Sequence, residues 1–116
     1  MPTVALTQES LESTIVDNEL VFIDFWASWC GPCRNFGPVF EAASERNPDA
    51  VFATVDTEDQ QELAGMLGIT SIPTLMAFRE KVLVFSEAGA LPAPEFDKLV
   101  DAVRALDMVE VHRKVA

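Results

Sequence analysis

The chain has 116 residues, the length of one ordinary domain, and can remove roughly 65% of its unfolded surface from water. Hydrophobic residues make up 49% and charged residues 23%, a composition that packs a core instead of staying disordered. The net charge of −11 repels phosphate backbones and anionic lipid, so neither nucleic acid nor a membrane surface is an expected partner.

The opening Met1-Pro2-Thr3-Val4 lacks a basic segment followed by an apolar block, so no secretory leader is expected. Thr7 begins a short helix with Leu11 and Ile15 on one face, and Asn18-Glu19 end it. Leu20 to Trp26 is nearly all apolar, rich in β-branched and aromatic residues, and predicts a central strand buried on both faces. Alternation sends Phe22, Asp24 and Trp26 to one side and Val21, Ile23 and Phe25 to the other. The run Leu20 to Ala27 is the longest apolar stretch, is broken by Asp24, and is far too short to span a membrane.

Ala27 to Cys33 turns out of that strand into a helix with Phe36, Phe40 and Ala43 at helical spacing. Pro38 lies inside it, removes a backbone donor and should kink it, and Asn47-Pro48-Asp49 stop it. Val51 to Asp56 predicts a second strand. Thr57 with Gln60 reads as the reciprocal cap of a helix carrying Leu63 and Leu67, which Gly68 ends. Thr74 to Phe78 and Val82 to Ser86 predict a hairpin turning at Glu80-Lys81. Gly89 opens a loop, and Pro94 fits the first position of a last helix striped by Phe96, Leu99, Val100, Val103 and Leu106. Residues 108–116, with His112-Arg113-Lys114, read as a solvated tail, leaving one domain over residues 1–107.

Cys30 and Cys33 are the only cysteines. A disulfide between them closes so small a loop that chain entropy contributes only ~2 kcal/mol, a weak reason to keep one as a staple. The pair makes more sense as chemistry. Without a leader the expected compartment is reducing, where lasting disulfides are rare and catalytic ones are not. A closed zinc site needs about four ligands, and the only histidine is His112, so no metal is expected. A site completed by carboxylates or by a second copy, and a pair of inert buried thiols, remain open on the residues alone.

Trp29-Cys30-Gly31-Pro32-Cys33 resembles the active-site segment of the thioredoxin family. Asp24-Phe25-Trp26-Ala27 stands where that family carries its buried acid. Pro38 matches its kinking proline, Ile72-Pro73-Thr74 its cis-proline segment, and Gly89-Ala90 the glycine of its last loop. The resemblance covers residues 7–106 and implies an α/β thioredoxin fold: a central mixed sheet of four to five strands flanked by about four helices, agreeing with the order of elements.

Thiol–disulfide exchange needs one reachable thiolate and a second thiol that resolves the mixed disulfide. Cys30, at the mouth of the helix beginning near Pro32, is the expected nucleophile, and Cys33, in the first turn and more covered, the resolving thiol. The resemblance makes Asp24 the proton shuttle for Cys33, and burial in an apolar strand should raise its pKa. Many bacterial members place a lysine on the adjacent strand; the corresponding Val51-Phe52-Ala53-Thr54 has no cation, which should push that pKa further up. Pro73 is expected to be cis, with its backbone pairing an extended substrate. Trp29, Gly31, Pro32, Ile72, Gly89 and Ala90 would then form a mostly uncharged patch around Cys30.

The implied activity is reduction of protein disulfides by a cytoplasmic, monomeric electron carrier. No cofactor is bound, and electrons come from NADPH through a flavoprotein thioredoxin reductase. The alternatives are an oxidoreductase serving a single partner and a binding scaffold whose redox activity is incidental.

Overall fold

A computed structural model describes residues 3–115. Strand β1 (Thr3–Ala5) leads into helix α1 (Gln8–Asp17) and strand β2 (Leu20–Trp26). Helix α2 (Gly31–Arg46), strand β3 (Val51–Asp56) and helix α3 (Gln61–Met66) follow. Strands β4 (Thr74–Arg79) and β5 (Val82–Ala88) then precede helices α4 (Ala93–Arg104) and α5 (Met108–Val115).

The five strands form one sheet in the order β1-β3-β2-β4-β5. β1 and β2 flank β3 in parallel, while β4 runs antiparallel to β2 and β5 antiparallel to β4. Parallel neighbours cannot be joined by a tight turn, and α2 supplies the crossover from β2 to β3. β2 lies between β3 and β4, and Leu20 to Phe25 are all buried, as its apolar run requires.

The alternation along β2 divides the core. Phe22 packs with Phe36, Phe40, Phe52, Phe96 and Val100 under α2 and α4. Val21, Ile23 and Phe25 pack with Leu6, Val55, Leu63 and Met76 under α1 and α3. The first cluster is tied by aromatic contacts, including an edge-on Phe36–Phe96 pair with ring centroids 5.2 Å apart.

Several expectations need correction. β1 has no signal in the sequence: three residues carry too little periodicity, and only the pairing Thr3↔Phe52 and Ala5↔Thr54 makes them a strand. α3 starts at Gln61, and its N-cap Gln60 makes no side-chain cap. Thr57 instead bonds the end of β2, its N–H and Oγ1 both donating to the Trp26 carbonyl at 2.9 and 3.0 Å. A tertiary partner outcompetes the local cap there. α4 starts at Ala93, putting Pro94 at its second position.

Residues 108–115 are helical instead of a bare tail. Asp107 Oδ1 accepts from the Val109 and Glu110 N–H groups at 3.1 and 3.3 Å, and Met108 is buried. His112 Nε2 lies 3.0 Å from Glu80 Oε1, pinning α5 to the hairpin turn. Glu80 and Lys81 have φ of 49° and 72°, a left-handed pair that hairpin turns usually reserve for Asn-Gly. The Glu80 N–H donates to the Glu19 carbonyl at 2.8 Å and holds the turn from outside.

Candidate active site

The site lies where β2 ends. Its register sets Phe25 opposite Thr74 of β4 and Trp26 opposite Asp56 of β3, so the segment after β2 emerges beside the one before β4. Cys30 is the N-cap of α2, with extended backbone (φ −88°, ψ 112°), and the Cys33 N–H donates to its Sγ at 3.2 Å. Gly31 and Pro32 fill the first two helical positions, where proline's missing N–H costs nothing.

Cys30 and Cys33 are joined by a disulfide with Cα atoms 5.2 Å apart, ordinary for such a bond. The expected contrast in cover is absent: both residues are only 4% exposed. In this oxidised form each sulfur shields the other, and Cys30 Sγ also lies 3.7 Å from the Ile72 carbonyl oxygen. What differs is the neighbourhood of each sulfur.

Around Cys30 are backbone groups and apolar surface. The Ile72–Pro73 bond is cis. The Pro73 carbonyl accepts from the Gly89 N–H at 2.8 Å, and Gly89 has φ 114°, a conformation only glycine adopts freely. Trp29 is 65% exposed and shares a shallow pocket of about 170 Å³ with Thr57, Ile69, Thr70, Ser71 and Ile72. Pro32, Gly89 and Ala90 are exposed, Gly31 and Ile72 half-buried, and Pro73 buried.

Behind Cys33 lies a partly open cavity of about 410 Å³, mostly apolar, walled by Trp26, Ala27, Pro38 and Phe40. Cys33 and Asp24 both line it. Asp24, at the middle of β2, is 3% exposed, and its Oδ1 has no hydrogen-bond partner. Desolvation raises its pKa to about 7. Its register neighbours are Thr54 on β3 and Leu75 on β4, neither of them charged, so no cation offsets the burial from either strand.

Sequence reasoning missed the outer wall of this cavity. Thr3 and Glu41 line it, and Thr3 Oγ1 donates to Glu41 Oε2 at 2.8 Å. No local pattern links residues 38 apart; β1 had to be seen beside β3 first. Trp26, which alternation sends to the same side as Asp24, is also part of the wall. Among the described residues no group of three or more His, Cys, Asp or Glu could hold a metal ion, and no helix is long and apolar enough to cross a membrane.

Comparison with known proteins points the same way. The family model Thioredoxin matches residues 2–111. "Putative thioredoxin 2" of Streptomyces coelicolor is 57% identical over 98% of this chain and 85% of its own. A thioredoxin of Chlorobaculum thiosulfatiphilum is 37% identical over 82% of this chain and 90% of its own. Among solved structures, a single-site mutant of a thioredoxin from Halobacterium salinarum superimposes with a TM-score of 0.83 at 31% identity, covering 90% of this chain and 92% of the other.

Proposed function

We infer the working cycle from one premise: the chain belongs to the thioredoxin family. It is a thiol–disulfide oxidoreductase with a Cys30-x-x-Cys33 redox pair acting on disulfide-containing clients. The roles given below to each member of the pair, and to the groups around it, are our own reading.

Cys30 is the nucleophile. In the reduced protein its thiolate sits at the N-terminus of α2, where unpaired N–H groups and the helix dipole favour negative charge. It attacks one sulfur of a client disulfide; that S–S bond breaks, a client thiolate leaves, and a Cys30–client disulfide forms. Cys33 resolves it. Its thiol gives a proton to the Asp24 carboxylate and its sulfur attacks Cys30 Sγ. The Cys30–Cys33 disulfide forms, and the second client sulfur leaves as a thiolate that takes up a proton. Two electrons pass to the client.

One observation carries this division of labour: Asp24 and Cys33 share a cavity, whereas Cys30 faces the Ile72 carbonyl at the cis-proline segment. A carboxyl titrating near neutrality is matched to accepting and returning a thiol proton there. Trp29, Gly31, Pro32, Ile72, Pro73, Gly89 and Ala90 form the client surface, an extended peptide lying along the Ile72-Pro73 backbone.

The oxidised protein is recycled by an NADPH-dependent flavoprotein thioredoxin reductase. The chain works as a cytoplasmic monomer, with residues 1–107 as the catalytic domain and 108–116 as an appendage. The test is insulin reduction driven by NADPH and a thioredoxin reductase. The chain should turn over, Cys30→Ser should not, and Cys33→Ser should accumulate a covalent client adduct. Turnover by Cys30→Ser, or an adduct on Cys33 instead of Cys30, refutes the assignment.

A further inference from the structure

The cavity behind Cys33 is larger than proton transfer requires. At about 410 Å³ it falls in the range of small-molecule sites, and its lining is mostly apolar. Its polar side chains are few: Asp24, Glu41, Thr3, Thr54, Ser28 and Arg34. Two of the three charged groups are acids. The one cation, Arg34, is exposed and turns its Nη1 to the Ser28 carbonyl at 3.3 Å, at one lip. Glu41, about two turns further along the same helix, is tethered by Thr3 of β1. The same cavity is lined by a tryptophan, Trp26, and by a buried carboxyl whose Oδ1 has no partner.

A buried, unpaired carboxylate is costly, and the ordinary remedy is a partnered cation. Neither neighbouring strand supplies one. Apolar walls, an aromatic face and two acids are the chemistry that receives an organic cation with a hydrophobic body. The excess of negative charge on the whole chain also draws cations toward it.

We propose that this cavity is a binding site for a small organic cation, an amidinium or ammonium on an apolar body, with Asp24 as its buried anchor and Glu41 as its outer one. An occupant pins Asp24 as a carboxylate and fills the space beside Cys33. If Asp24 is the proton acceptor for Cys33, as read above, occupancy brakes the resolution step. Binding itself does not depend on that role, so it is tested separately from turnover.

The probe is benzamidine, which stays protonated from pH 5.5 to 8.5, with neutral benzamide as its near-isosteric control. The protein is the full oxidised chain, in which neither cysteine titrates. The charged groups facing Asp24 across the cavity are then Glu41 and Arg34, both on α2; Thr3 of β1 and Thr54 of β3 are uncharged. Amide chemical-shift titration should give saturable 1:1 binding centred on Asp24, Cys33 and Pro38's neighbours. With Asp24 titrating at about 7, affinity should fall about 30-fold from pH 8.5 to 5.5. Asp24→Asn, which removes the charge but keeps the shape, should lose the pH dependence and at least tenfold in affinity, and Glu41→Gln a few-fold. Its amide spectrum shows whether the Asn variant is folded; if it is not, the wild-type pH series and the benzamide control decide alone. Benzamide binding as tightly as benzamidine, no saturable shift at millimolar probe, or unchanged affinity between the two pH values overturns the proposal.

Discussion

The two sides of the Cys30–Cys33 disulfide are equally covered and chemically opposite. On the Cys30 side lie a helix N-terminus, the Ile72 carbonyl, the Pro73 segment tied to Gly89, and an exposed Trp29. No ionisable group is needed there; backbone and apolar surface can receive clients of varied sequence. On the Cys33 side lie a cavity and a buried carboxyl with an unpaired oxygen. The lesson is that exposure alone does not assign roles to two linked sulfurs. The roles proposed for them rest on the groups each would meet once the bond opens.

The two sides should differ most at the sulfurs themselves. Cys30→Ser should reduce turnover to background, whereas Cys33→Ser should retain the first attack and stall with client bound, as mass spectrometry under non-reducing conditions would reveal. If both variants behaved alike, the two sides would not differ in function.

Removing the charge behind Cys33 comes next. Asp24→Asn should slow resolution about 100-fold at neutral pH, at the low end for a proton-transfer group. It should also flatten the rise in rate that wild type shows as pH passes through about 7, where the carboxylate forms. Stopped-flow decay of the mixed disulfide from pH 6 to 9 checks both.

The same substitution reports on stability. The folded pKa of Asp24 lies above its unfolded value of 3.8, so the native state binds the proton more tightly. Its stabilisation is full below about pH 4 and is lost as pH rises toward 7 and beyond. Denaturant unfolding of the oxidised protein should therefore show Asp24→Asn gaining on wild type by about 4 kcal/mol between pH 3 and pH 8. A constant gap would mean that Asp24 ionises without cost.

Thr54→Lys sharpens the same side. It places a cation at the register neighbour of Asp24 and should lower that pKa by about 1–3 pH units, read from the carboxyl's own NMR titration. The smallest effect belongs to the other side: Trp29→Ala should raise KM for a protein disulfide a few-fold while leaving attack on a small aromatic disulfide nearly unchanged. An equal loss on both substrates would place Trp29 in the chemistry instead of in client binding.

Much of this was legible in the residues. Leu20 to Trp26 and Val51 to Asp56 are strands over the spans their composition predicts, short runs rich in the apolar and β-branched residues that fit a buried sheet. The Gly-Pro turn between the cysteines, the helix it opens and the acid in the preceding strand are local patterns, and so was the absence of a cation in Val51 to Thr54. Asp107 with Glu110 three residues on is a helix-start pattern, and α5 begins there.

Tertiary structure alone decided the rest. Pairing of β1 with β3 brings Thr3 to Glu41 and so walls the cavity; three residues have no period of their own. Thr57 abandons its local cap because the end of β2 offers two hydrogen bonds. The Ile72 carbonyl reaches Cys30 Sγ from 42 positions away, a distance at which local propensity carries no information. Charge and side-chain type travel with the residue, so the groups able to do the chemistry can be read off the chain alone. Which side of the disulfide each group lies on depends on long-range strand register, because register sets their neighbours.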